Sequence, residues 1–99
     1  MKLEWHPTAL KDVDEILDQV RSRSLSGAAN VSVSIERAAQ RCASWPFASA
    51  RTGMRDVFRY PLTDRRIAIF YKVHAARDTV EILRVVRSGR IKSLRRMPR

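Results

Sequence analysis

Residues 65–90 read RRIAIFYKVHAARDTVEILRVVRSGR. Two apolar runs, 67–73 and 80–87, flank the short polar joint HAARD (74–78), and the second runs on into arginines. In the first run Ile67, Ile69, Tyr71 and Val73 alternate with Ala68, Phe70 and Lys72. In the second, Val80, Ile82, Arg84 and Val86 alternate with Glu81, Leu83, Val85 and Arg87. Period-two runs rich in β-branched and aromatic residues predict strands, and a joint this short predicts an antiparallel hairpin. Just upstream, Arg55–Tyr60 is a shorter alternation ended by Pro61 and the turn residues Thr63 and Asp64, which predicts one more strand.

The N-terminal half has a different rhythm. KLEWH alternates Leu3 and Trp5 against charged neighbours and suits a short strand with one buried face. Pro7 stands where a first helical residue needs no N–H. From there Leu10, Val13, Ile16, Leu17 and Val20 recur at helical spacing, with acids between them forming a solvated face, so a helix is expected over 7–22. Ser22, Ser24, Ser26 and Gly27 read as a turn. Val31, Ile35, Ala38, Ala39 and Cys42 then fall on one side of a second helix, which Trp45-Pro46 stops. Residues 46–54 carry no period and are expected to be a loop. The order is β-α-α-β-β-β: class α+β, an antiparallel sheet with a helical hairpin on one face.

Ninety-nine residues make one domain, 1–99, with the basic tail 91–99 expected to fray. No apolar run approaches the ~20 residues of a membrane span, and MKLEWHPTAL has no signal-peptide core, which predicts a cytoplasmic location. The lone Cys42 excludes an internal disulfide and reads as a small buried residue. His6 and His74 fall in different elements with no partners at metal-ligand spacing, so structural roles are expected and no metal. Three scattered glycines make no phosphate-cradling loop, and no cofactor is expected. Nor does any serine or cysteine have a catalytic partner in the sequence.

Charge is distributed unevenly. Residues 1–50 carry 6 Lys/Arg and 6 Asp/Glu, whereas 51–99 carry 14 and 4, which accounts for the whole net charge of +10. After Glu81 there is no acid, while Arg84, Arg87, Arg90, Lys92, Arg95, Arg96 and Arg99 follow. Such asymmetry predicts an anionic partner for the second half.

The segments WHPTALKDVDEIL (5–17), GMRDVFRY (53–60), IAIFYKV (67–73) and VEILRVVRSGR (80–90) resemble the ParE/RelE superfamily of toxins from type II toxin–antitoxin systems, across nearly the whole chain. That resemblance implies a small basic toxin with a cognate antitoxin. The RelE branch cuts messenger RNA on the ribosome, stabilising charge with basic residues and moving protons with a general acid–base group, often a C-terminal tyrosine. Here Ala68 stands where an arginine is common in that branch, and no tyrosine follows Tyr71. Guanidinium groups stay charged and make poor proton shuttles. The wording is closer to the ParE branch, whose members poison DNA gyrase by binding, although Arg87 stands where that branch often has histidine.

The resemblance therefore implies a gyrase-binding toxin that is not a hydrolase. Arg84, Arg87, Arg90, Lys92, Arg95 and Arg96 are expected to contact the target or its DNA. An acidic antitoxin, partly disordered when free, is expected to lay a helix on Leu10, Val13, Leu17 and Ile35 in a hetero-oligomer. The alternative is a RelE-like endoribonuclease with Arg65, Arg66, Lys72, Arg87 and Arg90 as phosphate stabilisers. A third reading is a non-toxic basic nucleic-acid-binding protein. Against it, Trp5, Trp45, Phe47, Phe58, Phe70, Tyr60 and Tyr71 mostly fit core positions rather than a base-stacking ladder.

Overall fold

The computed structural model of the protein describes residues 1–62 and 66–87. In chain order these form β1 (Lys2–Trp5), α1 (Pro7–Arg21), α2 (Leu25–Ser44), β2 (Ala50–Arg51) and β3 (Val57–Leu62). There follow β4 (Ile67–His74), a 3₁₀ turn (Ala75–Arg77) and β5 (Thr79–Arg87). The strands make one sheet in the order β1-β5-β4-β3-β2. The expected α+β class and helical hairpin are present. Every strand pair is antiparallel except β1–β5, which is parallel. The reason is topological: the meander from β2 to β5 reverses direction at each turn and delivers β5 beside β1 in the same sense. The expected loop over 46–54 contains the two-residue β2, paired with Phe58 and Arg59. The basic tail, 91–99, lies outside the described residues.

Local chemistry fixes the helices. His6 caps α1, its Nδ1 accepting from the Thr8 N–H at 3.1 Å, and Pro7 follows at the position that needs no donor. α2 begins earlier than the apolar period suggests, because Ser24 is its cap: Ser24 Oγ accepts the Gly27 N–H at 2.9 Å. The run Ser24–Gly27, which reads as a turn, is the cap and first turn of this helix.

Pro61 also departs from expectation by lying inside β3. β3 presents Arg59 outward to Ala50 of β2, and alternation places the nitrogen of Pro61 on that same outward side. No ladder bond is lost there, which is how an edge strand accommodates proline.

The core lies between helices and sheet. Ile35 (1% exposed), Ala39 and Cys42 of α2 and Ala9 and Ile16 of α1 pack with Ile69, Tyr71, Val80, Ile82 and Val85. Ala68, Phe70 and Val86 form a second buried cluster. The simple alternation expected in β5 breaks midway: Tyr71 pairs with Ile82 but Phe70 with Arg84, so the ladder skips Leu83. This bulge shifts the faces. Val85, and not Arg84 or Val86, continues the core side begun by Val80 and Ile82. Within the core, the Tyr71 hydroxyl donates to the Pro46 carbonyl at 2.8 Å, tying the end of α2 to β4. Burial pushes the Cys42 thiol up from 9.0 to about 12.

Ile35 was expected to contact a partner; it is a core residue instead. Ile35→Ala should therefore cost about 2–5 kcal/mol in urea unfolding. Leu10→Ala, at a half-exposed position, should stay within about 0.5 kcal/mol. Because the folded thiol holds its proton more tightly than the unfolded one, its contribution to stability should be present below pH 9.0 and decline as pH rises toward about 12. Urea midpoints across that window should fall less steeply in Cys42→Ala.

Candidate functional site

β1 ends at Trp5, opposite Ile82, and its last ladder bond is His6 N–H to the Ile82 carbonyl. β5 continues for five more residues without a strand on that side. α1 passes beside this open end and supplies the missing acceptor. Asp12 Oδ2 accepts the Val85 N–H at 3.0 Å and the Arg84 Nε–H at 2.7 Å, while Oδ1 accepts Arg84 Nη2 at 3.0 Å. Both side chains are 11% exposed, so this is a buried, side-on carboxylate–guanidinium pair with a backbone donor added.

Asp12 was expected on the solvated acidic face of α1. It is buried, and its signal was in the spacing: Ala9, Asp12 and Ile16 recur at three and four residues as the buried stripe of the helix. Arg84, expected to face a target, faces Asp12. Arg87 lies farther along, half-buried, its Nη1 donating to Gln19 Oε1 at 2.8 Å. Asp12, Glu15, Gln19, Arg84 and Arg87 thus line a shallow cleft between α1 and the end of β5. Arg90, Lys92, Arg95 and Arg96 lie outside the described residues.

Three of the four expected antitoxin contacts share one stripe of α1: Leu10 is half-exposed, and Val13 and Leu17 are partly buried against the core. Of the expected phosphate stabilisers, Arg65 lies outside the described residues. Arg66 is exposed with φ 55°, and Lys72 is partly buried opposite Glu81. Ala68 lies in the apolar cluster with Phe70 and Val86. Tyr71, the last tyrosine, is in the core with its O–H given to Pro46, and burial raises its pKa. His74 Nε2 lies 2.9 Å from Glu81 Oε1. Two aromatics depart from the expected core positions: Trp45 is 66% exposed and Phe47 61%.

A helical hairpin laid on a mixed five-stranded sheet is the architecture of solved toxin–antitoxin proteins. A chain from the chromosomal ParDE TA system of P. aeruginosa superposes with TM-score 0.67 at 20% identity, covering 88% of this chain and 95% of that one. The intact E. coli RelBE toxin–antitoxin complex contributes a match at TM-score 0.60 and 17% identity, covering 89% and 96%. The isolated E. coli RelE toxin matches at 0.57 and 17%, covering 96% and 95%. Among curated proteins no sequence matches. The family described as the ParE toxin of type II toxin–antitoxin systems, parDE, matches residues 3–92, and the chain belongs to that family.

Asp12→Ala should be among the most damaging single changes, because it strands a buried guanidinium and the Val85 N–H together. A loss of about 3–5 kcal/mol is expected in chemical denaturation. Arg84→Met combined with Asp12→Leu should recover the part due to the stranded guanidinium and leave about 1–3 kcal/mol for the unpaired Val85 N–H. Arg87→Ala alone should stay within about 0.5 kcal/mol.

Proposed function

We propose that the protein is a type II toxin that acts in the cytoplasm by binding DNA gyrase and holding it in its cleaved-DNA state. We further propose that a cognate antitoxin, with an acidic segment disordered when free, neutralises it. The observation that carries this reading is membership of the ParE toxin family across residues 3–92. The disposition of proton-transfer groups favours binding over hydrolysis. Tyr71 is buried and engaged, His74 is tied to Glu81, and the face carrying Ala68 is apolar there. A metal-free attack by a ribose 2′-OH would need a free acid–base group.

The antitoxin reading draws support from the toxin–antitoxin assemblies among the structural relatives. Leu10, Val13 and Leu17 remain its docking stripe on α1, and Ile35, being core, is left out. Arg87, with Arg90, Lys92, Arg95 and Arg96, would meet gyrase or its DNA, and the same charges would attract the acidic antitoxin. Arg84 serves this surface indirectly, by holding the end of β5 against α1.

Purified full-length protein added to a gyrase supercoiling reaction should accumulate protein-linked cleaved DNA, and prior addition of the antitoxin should prevent it. Unchanged supercoiling at excess toxin overturns the reading. If message were instead cleaved inside translating ribosomes, the ribonuclease alternative would replace it. Unimpaired growth on induction of the chain alone would point to the non-toxic nucleic-acid-binding reading.

A further inference from the structure

At the opposite side of the sheet from the β5 cleft, an open groove runs between α2 and the end of β3. Ser34, Arg37, Ala38 and Arg41 form one wall and Tyr60–Leu62 the other. Among the described residues its polar side chains are two guanidiniums, a hydroxyl and a phenol, with no carboxylate on either wall. Arg37 and Arg41 are exposed, stand one helical turn apart, and make no side-chain ion pair or hydrogen bond among the described residues. Glu36 stands on the adjoining stripe of the helix with Val33 and Gln40.

Trp45 follows Arg41 by four residues and carries the stripe on to the end of α2. Its indole is 66% exposed, and the ring of Phe47 is 61% exposed. The backbone that carries them is tied down, and the Phe47 ring is seated on the core. Trp45 N–H donates to the Arg41 carbonyl at 2.9 Å, Ala48 N–H to the Trp45 carbonyl at 3.2 Å, and Tyr71 O–H to the Pro46 carbonyl at 2.8 Å. Phe47 packs edge-on against buried Phe58 with centroids 5.8 Å apart. Over the same Phe58 ring, at 5.2 Å, lies the guanidinium of Arg51. Two aromatic rings bared to water beside exposed guanidiniums are an unusual surface for a protein without a ligand there.

We propose that this surface binds single-stranded nucleic acid, with Arg37, Arg41 and Arg51 on phosphates and Trp45 and Phe47 stacked on bases. Stacking platforms flanked by cations are what sequence-tolerant single-strand binding requires. A duplex hides the faces of its bases and cannot use the rings. An acidic extended peptide fits less well. Strand addition draws its affinity from main-chain bonds, yet on the outward edge of β3 Arg59 is already paired with Ala50 and Pro61 has no N–H. An amphipathic helix needs an apolar trough, and of the apolar residues of the walls Ala38 and Leu62 are buried, which leaves only Pro61 exposed. The surface is separate from the β5 cleft and does not depend on gyrase being the target.

The test is a fluorescence titration of the full-length protein with a short oligothymidylate at low and at physiological salt. Indole emission should be quenched on binding. Trp45→Leu with Phe47→Ala should remove the quench and weaken binding by about tenfold or more. Arg37→Glu with Arg41→Glu, which alters only exposed side chains, should weaken it at least as much and flatten the logarithmic salt dependence by about 1.4. An abasic strand of equal length should bind about tenfold more weakly than oligothymidylate. Equal affinity for the abasic strand, tighter binding of duplex, or equal binding of poly-glutamate would each overturn the proposal. So would unchanged affinity in the arginine variant, whose folding is confirmed by circular dichroism.

Discussion

A sheet strand that outruns its neighbour leaves donors facing a low-dielectric interior, and an unpaired buried N–H costs free energy comparable to a lost hydrogen bond. β5 is in that position beyond Ile82, since β1 turns away into α1 after Trp5. Asp12 resolves the conflict by serving as a side-chain substitute for the next residue of a strand, accepting from Val85 where a carbonyl would. A buried carboxylate is costly in its turn unless its charge is compensated. Arg84 compensates it with two parallel N–H···O bonds. The contact joins residues 72 positions apart and clamps the first helix to the last strand. The position of the basic end of β5 relative to α1 is set by this arrangement.

The arginines consequently fall into separate physical roles. Arg84 is an internal counter-ion. Arg87, one turn of the pleat farther out, is half-buried and lightly tethered by the neutral Gln19. Arg37 and Arg41 stand in water beside a groove, and Arg51 rests on an aromatic ring. A net charge counts all of these equally, although only the groups not neutralised within the fold can act on a partner. The even balance of the first fifty residues is similarly uninformative about the surface: Asp12 is withdrawn into the interior, while Arg37 and Arg41 remain outside.

Much of the architecture could be read from residue spacing. Period-two runs at 67–73 and 80–87 and the helical recurrence of Val31, Ile35, Ala38 and Cys42 located three of the principal elements. These signals are strong because each reports a long face buried against a core. What escaped depends on contacts between distant segments. The bulge at Leu83 is invisible in a sequence that alternates acceptably straight through it, so Val85 and Val86 were assigned to the wrong faces. Ser24 reads as a turn residue or as a cap with equal ease, and only the Gly27 N–H decides between them. Pro61 reads as a strand breaker unless its neighbour on the outer side is known to be missing. At the site itself, the basic bias of the second half was legible, but the partner of Arg84 was not. Asp12 belonged to an acidic run whose other members are exposed, and one buried member is betrayed only by its register with Ala9 and Ile16.

The treatment of the sheet edges constrains how this protein can recognise anything. An exposed edge is a template for strand addition, and proteins blunt it with short strands, proline or covering elements. Here β2 is two residues long, Pro61 removes the donor from the next stretch of the β3 edge, and Asp12 with α1 covers the open end of β5. β1 is the remaining edge strand and is held to four residues. With main-chain ladders largely closed to a partner, recognition has to run through side chains. Those presented by the described surface include exposed guanidiniums and two bared aromatic rings, Trp45 and Phe47, while burial raises the pKa of the Tyr71 phenol and the Cys42 thiol in the interior. Guanidiniums keep their charge across the physiological range, while the phenol and thiol that could move a proton are built into the packing of the core.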